Sequence, residues 1–315
     1  MKPSPTRPVV ALVRTDETKE GLRRAVREAL QLVGFTPPEM VHTVAIKPNL
    51  CYYWQSTTGC TTDARVVAAL IEWLREQMGS VDIKVVESDA SAMRTRHSYG
   101  MLGYRKLADE YGIDLVNLSE DETTEVSVEV NGLQLQFAVP KTLQTADLVV
   151  NVPKLKLARA TSITVGLKNN FGCIATSRKL PYHKHLDEAI VGISKIIRPQ
   201  ITIVDGTYAL GRATVRLGLL LAGKDVVAVD SVASRVMGVS PRLVRSIRLA
   251  EAEGLGASRN IEVRGENIEN FRRLFPVRRN NIFYRRVWDF QLRMLEAYCR
   301  FTGDILPPII QEVSA

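Results

Sequence analysis

Short runs of Val, Ile and Leu alternate along this chain with segments of helical period, and most of the runs end in polar residues. That alternation constrains the fold more than any other feature of the sequence. Residues 7–14 and 41–46 read as strands around a helix over 17–33, with Leu22, Val26, Leu30 and Val33 on one face. Thr62-Asp63 opens a second helix running to Met78, and residues 81–86 form a third strand. Strands that alternate with crossover helices build a mostly parallel sheet covered on both faces, so an α/β fold is expected.

The pattern continues with a helix over 99–111 and a strand over 113–117. Residues 125–130 and 133–139 flank Asn131-Gly132, the signature of a two-residue hairpin turn, and this hairpin is expected to decorate the sheet. Further strands are expected over 147–152, 200–204, 217–222 and 261–263. Helices are expected over 185–197, 228–237 and 241–253.

In open α/β sheets the ligand crevice lies outside the carboxyl ends of the strands. Four such ends carry polar groups: Lys47-Pro48-Asn49, Glu87-Ser88-Asp89, Asn151 with Lys154 and Lys156, and Asp205-Gly206. Lysines and asparagines gathered there suit a carboxylate or a phosphate, the first as point charges and the second as oriented amides. Ordinary loop polarity is the plainer explanation, because connecting loops face water.

The run from Thr161 to Cys173 goes further. Lys168 lies between Gly166 and Gly172 and is followed by Asn169, Asn170 and Phe171, with Arg178, His183 and His185 downstream. The glycines permit close backbone approach to a ligand. Lys168 can bind an anion or, if desolvated, act as a base or an imine-forming amine. His183 and His185 suit acid/base work, metal binding or phosphate contact, or form a plain surface pair. Lys168, His183, His185 and Asp205 are therefore the candidate catalytic residues. Lys47, Asn49, Asp89, Lys154, Lys156, Asn169, Asn170 and Arg178 are the candidate ligand-binding residues.

Gly218, Gly223 and Lys224 match P-loop spacing, but Asp225 stands where a Ser or Thr must reach Mg²⁺, and the residues between read as a strand. A P-loop is rejected, and no Gly-x-Gly-x-x-Gly follows the first strand. Cys51, Cys60 and Cys173 all fall in loops of the proposed crevice. They could hold an iron–sulfur cluster, although their spacing matches neither ferredoxin pattern, or be buried thiols. A divalent metal is the other candidate cofactor.

The order of these elements resembles the prokaryotic family called domain of unknown function 362, over roughly residues 7–265. The resemblance rests on Lys47-Pro48-Asn49-Leu50, Thr61-Thr62-Asp63, Pro153-Lys154-Leu155-Lys156, the stretch from Gly166 to Gly172, His185, Val204-Asp205-Gly206 and the stretch from Ala222 to Asp230 ending in Val236-Met237-Gly238. It implies a protein without a generally assigned reaction. Members are often labelled iron–sulfur proteins, yet this chain has no Cys-x-x-Cys run to carry that label. The family is distantly similar to the nickel-dependent lactate racemase group, which acts on a small 2-hydroxy acid. Residues 207–214 depart from the Gly-Pro-rich stretch usual in the family.

Residues 266–315 lie outside the resemblance and read as a basic extension to a core of residues 1–265. Net charge is +8, and residues 270–301 hold eight arginines against Asp289 and Glu296, so most of the excess lies there. Phe283, Val287, Phe290, Met294, Ala297 and Phe301 make a narrow apolar seam of helical spacing. The seam suits packing on the core or on a second copy of the chain. The arginines suit an anionic membrane surface or nucleic acid. No apolar run approaches the ~18–20 residues of a membrane span, and the first residues lack a signal-peptide pattern, so a cytoplasmic protein is expected.

Three functions remain open. The first is an enzyme on a small carboxylate- or phosphate-bearing substrate. The second is an iron–sulfur redox protein. The third is a membrane-surface or nucleic-acid binder acting through the basic extension.

Overall fold

The computed structural model describes residues 7–275, apart from Tyr52, Ser91 and Ala92, together with the isolated positions Met294 and Ala297. The expected helix over 283–301 therefore lies outside the described residues, save those two positions.

In chain order the first elements are β1 (Val9–Arg14), α1 (Lys19–Leu32), β2 (Thr43–Pro48), α2 (Ala64–Met78), β3 (Asp82–Glu87), α3 (Thr95–Met101), α4 (Tyr104–Tyr111) and β4 (Asp114–Asn117). The hairpin strands β5 (Thr123–Val130) and β6 (Leu133–Pro140) follow, then α5 (Lys141–Thr145) and β7 (Leu148–Val152). Next come β8 (Lys154–Ala158), β9 (Ser162–Thr164), α6 (Gly166–Asn170) and α7 (Leu186–Ile197). The chain ends with β10 (Ile201–Leu210), β11 (Thr214–Gly223), α8 (Val226–Val236), α9 (Arg245–Ala252), β12 (Glu262–Gly265) and α10 (Ile268–Arg272).

The main sheet has the order β12-β1-β11-β10-β7-β2-β3-β4, and only β11 runs against the others on that path. Side chains alternate across it. Ala11 and Val13 join a core with Leu22 of α1 and Leu70 of α2, while Val10 and Leu12 join one with α7 and α8. Burial on both faces is why the strands are continuously apolar. Polar side chains fix the helix starts: Thr18 Oγ1 accepts from Gly21 N at 3.0 Å, and Asp63 Oδ1 accepts from Arg65 N at 2.9 Å. Among the described residues no helix is long and apolar enough to cross a membrane.

Several expectations need correction. The helix over 99–111 is two helices, broken at Gly103 with φ of 81°. The segment over 241–253 is a 3₁₀ turn followed by α9. The hairpin forms its own two-stranded sheet, docked on α7, where a Cβ on Gly192 would stand 3.0 Å from the Phe137 ring. Lys154 and Lys156 lie on a strand, β8, because its backbone pairs with β9 and β10. Asp205 sits inside β10, whose ladder with β11 continues past it to Leu210. Asp225 caps α8 by accepting from Val227 N and Ala228 N at 2.8 and 2.9 Å, which accounts for an Asp in the rejected P-loop pattern. At the far end Phe271 and Phe275 are buried, so core packing runs on past residue 265.

Strand order places the site. From β2 the chain moves outward to β3 and β4, whereas β7, on the other side of β2, leads toward β10. The β2–β7 boundary is thus where the winding reverses, the place where open α/β sheets bind ligands, outside the carboxyl ends of the strands.

Candidate functional site

At the β2–β7 boundary Lys47 pairs with Asn151 and Pro48 with Val152. A buried amide frame ties these ends to α6. Asn169 Nδ2 donates to Asn151 Oδ1 at 2.8 Å and to the Lys47 carbonyl at 3.0 Å, and its Oδ1 accepts from Asn49 Nδ2 at 2.9 Å. Asn151 Nδ2 donates to the Gly166 carbonyl at 3.0 Å. From α8, Asp230 accepts from Gly166 N at 2.7 Å and Leu167 N at 3.1 Å. A Cβ on Gly166 would stand 2.9 Å from that carboxylate and 2.7 Å from Val226 Cγ2, so the approach requires glycine. Burial pushes the Asp230 carboxyl up to about 7, against the pull of the two backbone N–H groups. A five-residue helix has no independent stability, and this frame supplies it.

A second buried clip lies behind the frame. Lys154 Nζ pairs with Asp205 Oδ2 at 2.8 Å, and neither side chain has any exposed surface. Asp205 also accepts from Asp63 N at 2.8 Å, Thr207 N at 3.0 Å and Thr207 Oγ1 at 2.6 Å. The clip joins β8, β10 and the start of α2. The Asp205 carboxylate accepts from four donors and Lys154 is paired with it, which makes both of them fasteners of the fold.

Four lysines form the front. Lys47 pairs with Glu87 at 2.7 Å, both nearly sequestered, and donates to the Pro48 carbonyl at 2.7 Å. Glu87 also accepts from Leu50 N and Ser88 N, each at 3.0 Å. Lys156 Nζ donates to Asn49 Oδ1 at 2.8 Å, the Cys60 carbonyl at 2.7 Å and Cys51 Sγ at 3.0 Å. Lys179 Nζ donates to Ser88 Oγ at 2.8 Å and the Asp89 carbonyl at 2.6 Å. Lys168 differs: its ammonium stands 4.1 Å from the centre of the Phe171 ring and makes no hydrogen bond among the described residues.

The charges of this group are coupled. Desolvation first, then the nearby Lys156 and Lys47 cations, bring Lys168 down to about 8, opposed by Cys51 and Glu87. Part of the Lys168 side chain still meets solvent, so the crowding is concentrated around its ammonium. Lys179 is brought down to about 7, chiefly by burial and also by Lys47 and Lys168. His183, whose ring centre lies 6.1 Å from that of Phe171, is pushed down to about 4 by desolvation and the Lys168 charge. It is therefore neutral at pH 7, and its buried Nδ1 has no partner among the described residues.

The other expected residues scatter. Asn170 turns away from the frame and donates to Ser194 Oγ on α7 at 3.1 Å. The Asp89 carboxylate caps α3, accepting from Thr95 N at 2.9 Å, and faces Arg94 at 3.6 Å. Arg178 is exposed, and His185 is half-buried just before α7. The thiols are not gathered. Cys51 faces Lys156, Cys60 presents its carbonyl to that lysine, and Cys173 joins the core, where burial pushes its thiol up to about 12. Among the described residues no group of three or more His, Cys, Asp or Glu could hold a metal ion. Cys51, Cys60 and Cys173 thus do not fit an iron–sulfur cluster, and the divalent-metal expectation finds no ligand set.

Glu87, Ser88, Phe171, Gly172, Lys179 and Asp230 belong to the arrangement, although the sequence reading did not single them out as site residues. Glu87 and Ser88 were visible in a polar strand end. Lys179 had no signal, being one basic residue beside Arg178. A separate cleft of about 400 Å³ opens between α1, α2 and α4, lined by Lys19, Arg23, Arg65, Glu72 and Tyr111 among others, and none of the four front lysines lines it.

The arrangement defines a class: an α/β protein with a lysine-rich, amide-framed cluster at the switch point of its sheet. The chain belongs to the family described as Domain of unknown function (DUF362), whose model matches residues 44–235. That span runs from β2 into α8 and contains the whole frame. Over 264 residues the chain is 28% identical to the "Thylakoid-associated protein sll1697" of Synechocystis sp., covering 78% of this chain and 79% of that protein. Among solved structures, the lactate racemase apoprotein from Thermoanaerobacterium thermosaccharolyticum matches with a TM-score of 0.40 and 11% identity, over 73% of this chain and 57% of that one.

Proposed function

We propose that this protein is an enzyme acting on a small carboxylate- or phosphate-bearing molecule held at the front of the lysine cluster. One observation carries the reading: four ammonium groups, on Lys47, Lys156, Lys168 and Lys179, share a site with one buried carboxylate, Glu87. Like charges held together at partial desolvation repel, and a bound anion relieves that repulsion. Lys47, Lys156 and Lys179 supply the field, while half-buried Lys168 is the lysine free to meet a ligand. His183, neutral and with a nitrogen unpartnered among the described residues, stands by the same Phe171 ring as a hydrogen-bonding group for the ligand. An anion bound there raises the pKa of Lys168 and Lys179, so binding takes up protons above neutrality.

The test is a thermal-stability screen with phosphate and small carboxylates on the intact protein. A binding anion raises the melting temperature with its concentration. Lys168→Met removes that response while leaving the unliganded melting temperature nearly unchanged. A large loss of unliganded stability in Lys168→Met, or no stabilising anion, counts against the reading.

A second reading concerns the basic residues 266–315, read as an extension beyond the α/β core. The relative in Synechocystis is described as thylakoid-associated, and eight arginines between residues 270 and 301 suit an anionic membrane surface. Sedimentation with anionic vesicles across a salt series tests it. Binding that persists without residues 276–315, or that ignores salt, refutes it.

A further inference from the structure

Among the described residues the buried lysines are fastened, and half-buried Lys168 is not. Lys47, Lys154, Lys156 and Lys179 each donate two or more hydrogen bonds to fixed acceptors. Lys168 does not: its ammonium rests against the Phe171 ring at 4.1 Å. A lysine meant only to hold charge gains from oxygen acceptors. A lysine whose nitrogen must lose its proton and offer a lone pair is better served by an apolar face and neighbouring cations. Both conditions hold. The charged and titratable groups around Lys168 are Lys156, Lys47, Lys179, Glu87, Cys51 and His183, and burial with the neighbouring cations brings its own pKa to about 8. His183 is neutral, and its Nδ1 has no partner among the described residues.

The geometry points to Lys168 as an amine nucleophile that forms an imine with a small carboxylate or phosphate carrying an aldehyde or ketone carbonyl, a step that rests on the anion-site reading above. The Lys168 ammonium first loses a proton to solvent, which a value of about 8 allows near neutral pH. The nitrogen lone pair then forms the C–N bond as the carbonyl π pair moves to oxygen. Protons returned to that oxygen let it leave as water, and the remaining pair on nitrogen makes the C=N bond. An ammonium and a carbonyl thus become an iminium and one water, with charge and atoms conserved and no oxidant or reductant. The neighbouring cations draw in the anionic group, so a neutral carbonyl compound reacts less.

The experiment treats the full chain with glyoxylate, an anionic aldehyde, and traps any imine with borohydride before peptide mass mapping. Propanal serves as the uncharged carbonyl and malonate as the anion without a carbonyl. The expected result is one dominant reduced adduct on the Lys168 peptide with glyoxylate, at least several-fold above any other lysine. Labelling rises as the pH passes through about 8, falls when malonate competes, and is weak with propanal. Lys168→Arg keeps the charge and removes the adduct, and the wild-type peptide map gives the answer independently should that variant fold poorly. Labelling spread evenly over surface lysines, or equal with propanal, overturns the inference. If malonate raises the melting temperature while no Lys168 adduct forms, the imine step falls and the anion site stands. If neither occurs, both fall.

Discussion

Asp205→Asn separates fastening from catalysis. Its carboxylate is wholly buried against Lys154 Nζ at 2.8 Å and accepts from the Asp63 and Thr207 backbone. Asparagine keeps the shape and part of the hydrogen bonding but leaves the lysine charge stranded. Breaking one side of a buried ion pair costs about 3–5 kcal/mol. At about 2–4 °C of melting temperature per kcal/mol for a large domain, the expected fall is roughly 6–20 °C. Thermal and urea unfolding of the variant measure it. The double change Lys154→Met with Asp205→Asn removes the stranded charge and recovers most of the loss, because the pair contributes little net stability over apolar residues of its size. Coupling between the two changes then exceeds what distant sites show. A variant that melts with the wild type while losing its response to phosphate places Asp205 in contact with the ligand and refutes this account.

Three further outcomes follow from the same geometry. The Asp230 carboxyl lies at about 7 in the fold against 3.8 as its ordinary value, so the fold holds its proton more tightly. The stability this adds is complete below the lower value and lost as pH rises through the higher. Asp230→Asn flattens that part of the urea-midpoint profile, and an unchanged profile contradicts the assignment. Because Lys179 and Lys168 lie at about 7 and about 8, phosphate affinity weakens as pH climbs through those values. Calorimetry in buffers of different ionisation heat should register proton uptake, and zero uptake counts against the crowded-lysine account. A Cβ on Gly172 would stand 2.9 Å from Lys47 Nζ and 3.0 Å from Glu87 Oε1, so Gly172→Ala loses about 1–3 kcal/mol by overpacking, and an unaltered melting temperature rules out that tight contact.

The sheet was legible because its strands are buried on both faces and its helices are amphipathic, and both leave a period in the sequence. The Asn131-Gly132 turn was legible because two consecutive positive φ values, 51° and 75°, leave few residue choices. Other features carry no local signature. Asp205 looked like a strand end because the apolar run stops there, yet a buried acid can sit mid-strand once Lys154 neutralises it, and that partner is 51 residues away. Lys154–Ala158 alternates as a strand should, but its charged positions are buried by β9 and β10, so the polarity read as loop. Lys179 joins the site only through the path of the chain after α6. The cysteines misled for a related reason: nearness in loops at one sheet edge does not fix the direction of three thiols.

The stretch from Gly166 to Gly172 joins fastening and chemistry in one short helix. Neighbouring residues on an α-helix point about 100° apart, so anchoring Asn169 inward turns Lys168 to another side. Asn169 is held by Asn49, Asn151 and the Lys47 carbonyl, and the helix start is held by Asp230. The direction of Lys168 is therefore set by residues from β2, β7 and α8, none of which needs to touch a ligand. Asn49, Gly166, Asn169 and Asp230, all within the stretches that mark the family, do this fastening. They specify where an amine stands and how desolvated it is, against the buried Phe171 ring and near half-buried His183 and Cys51.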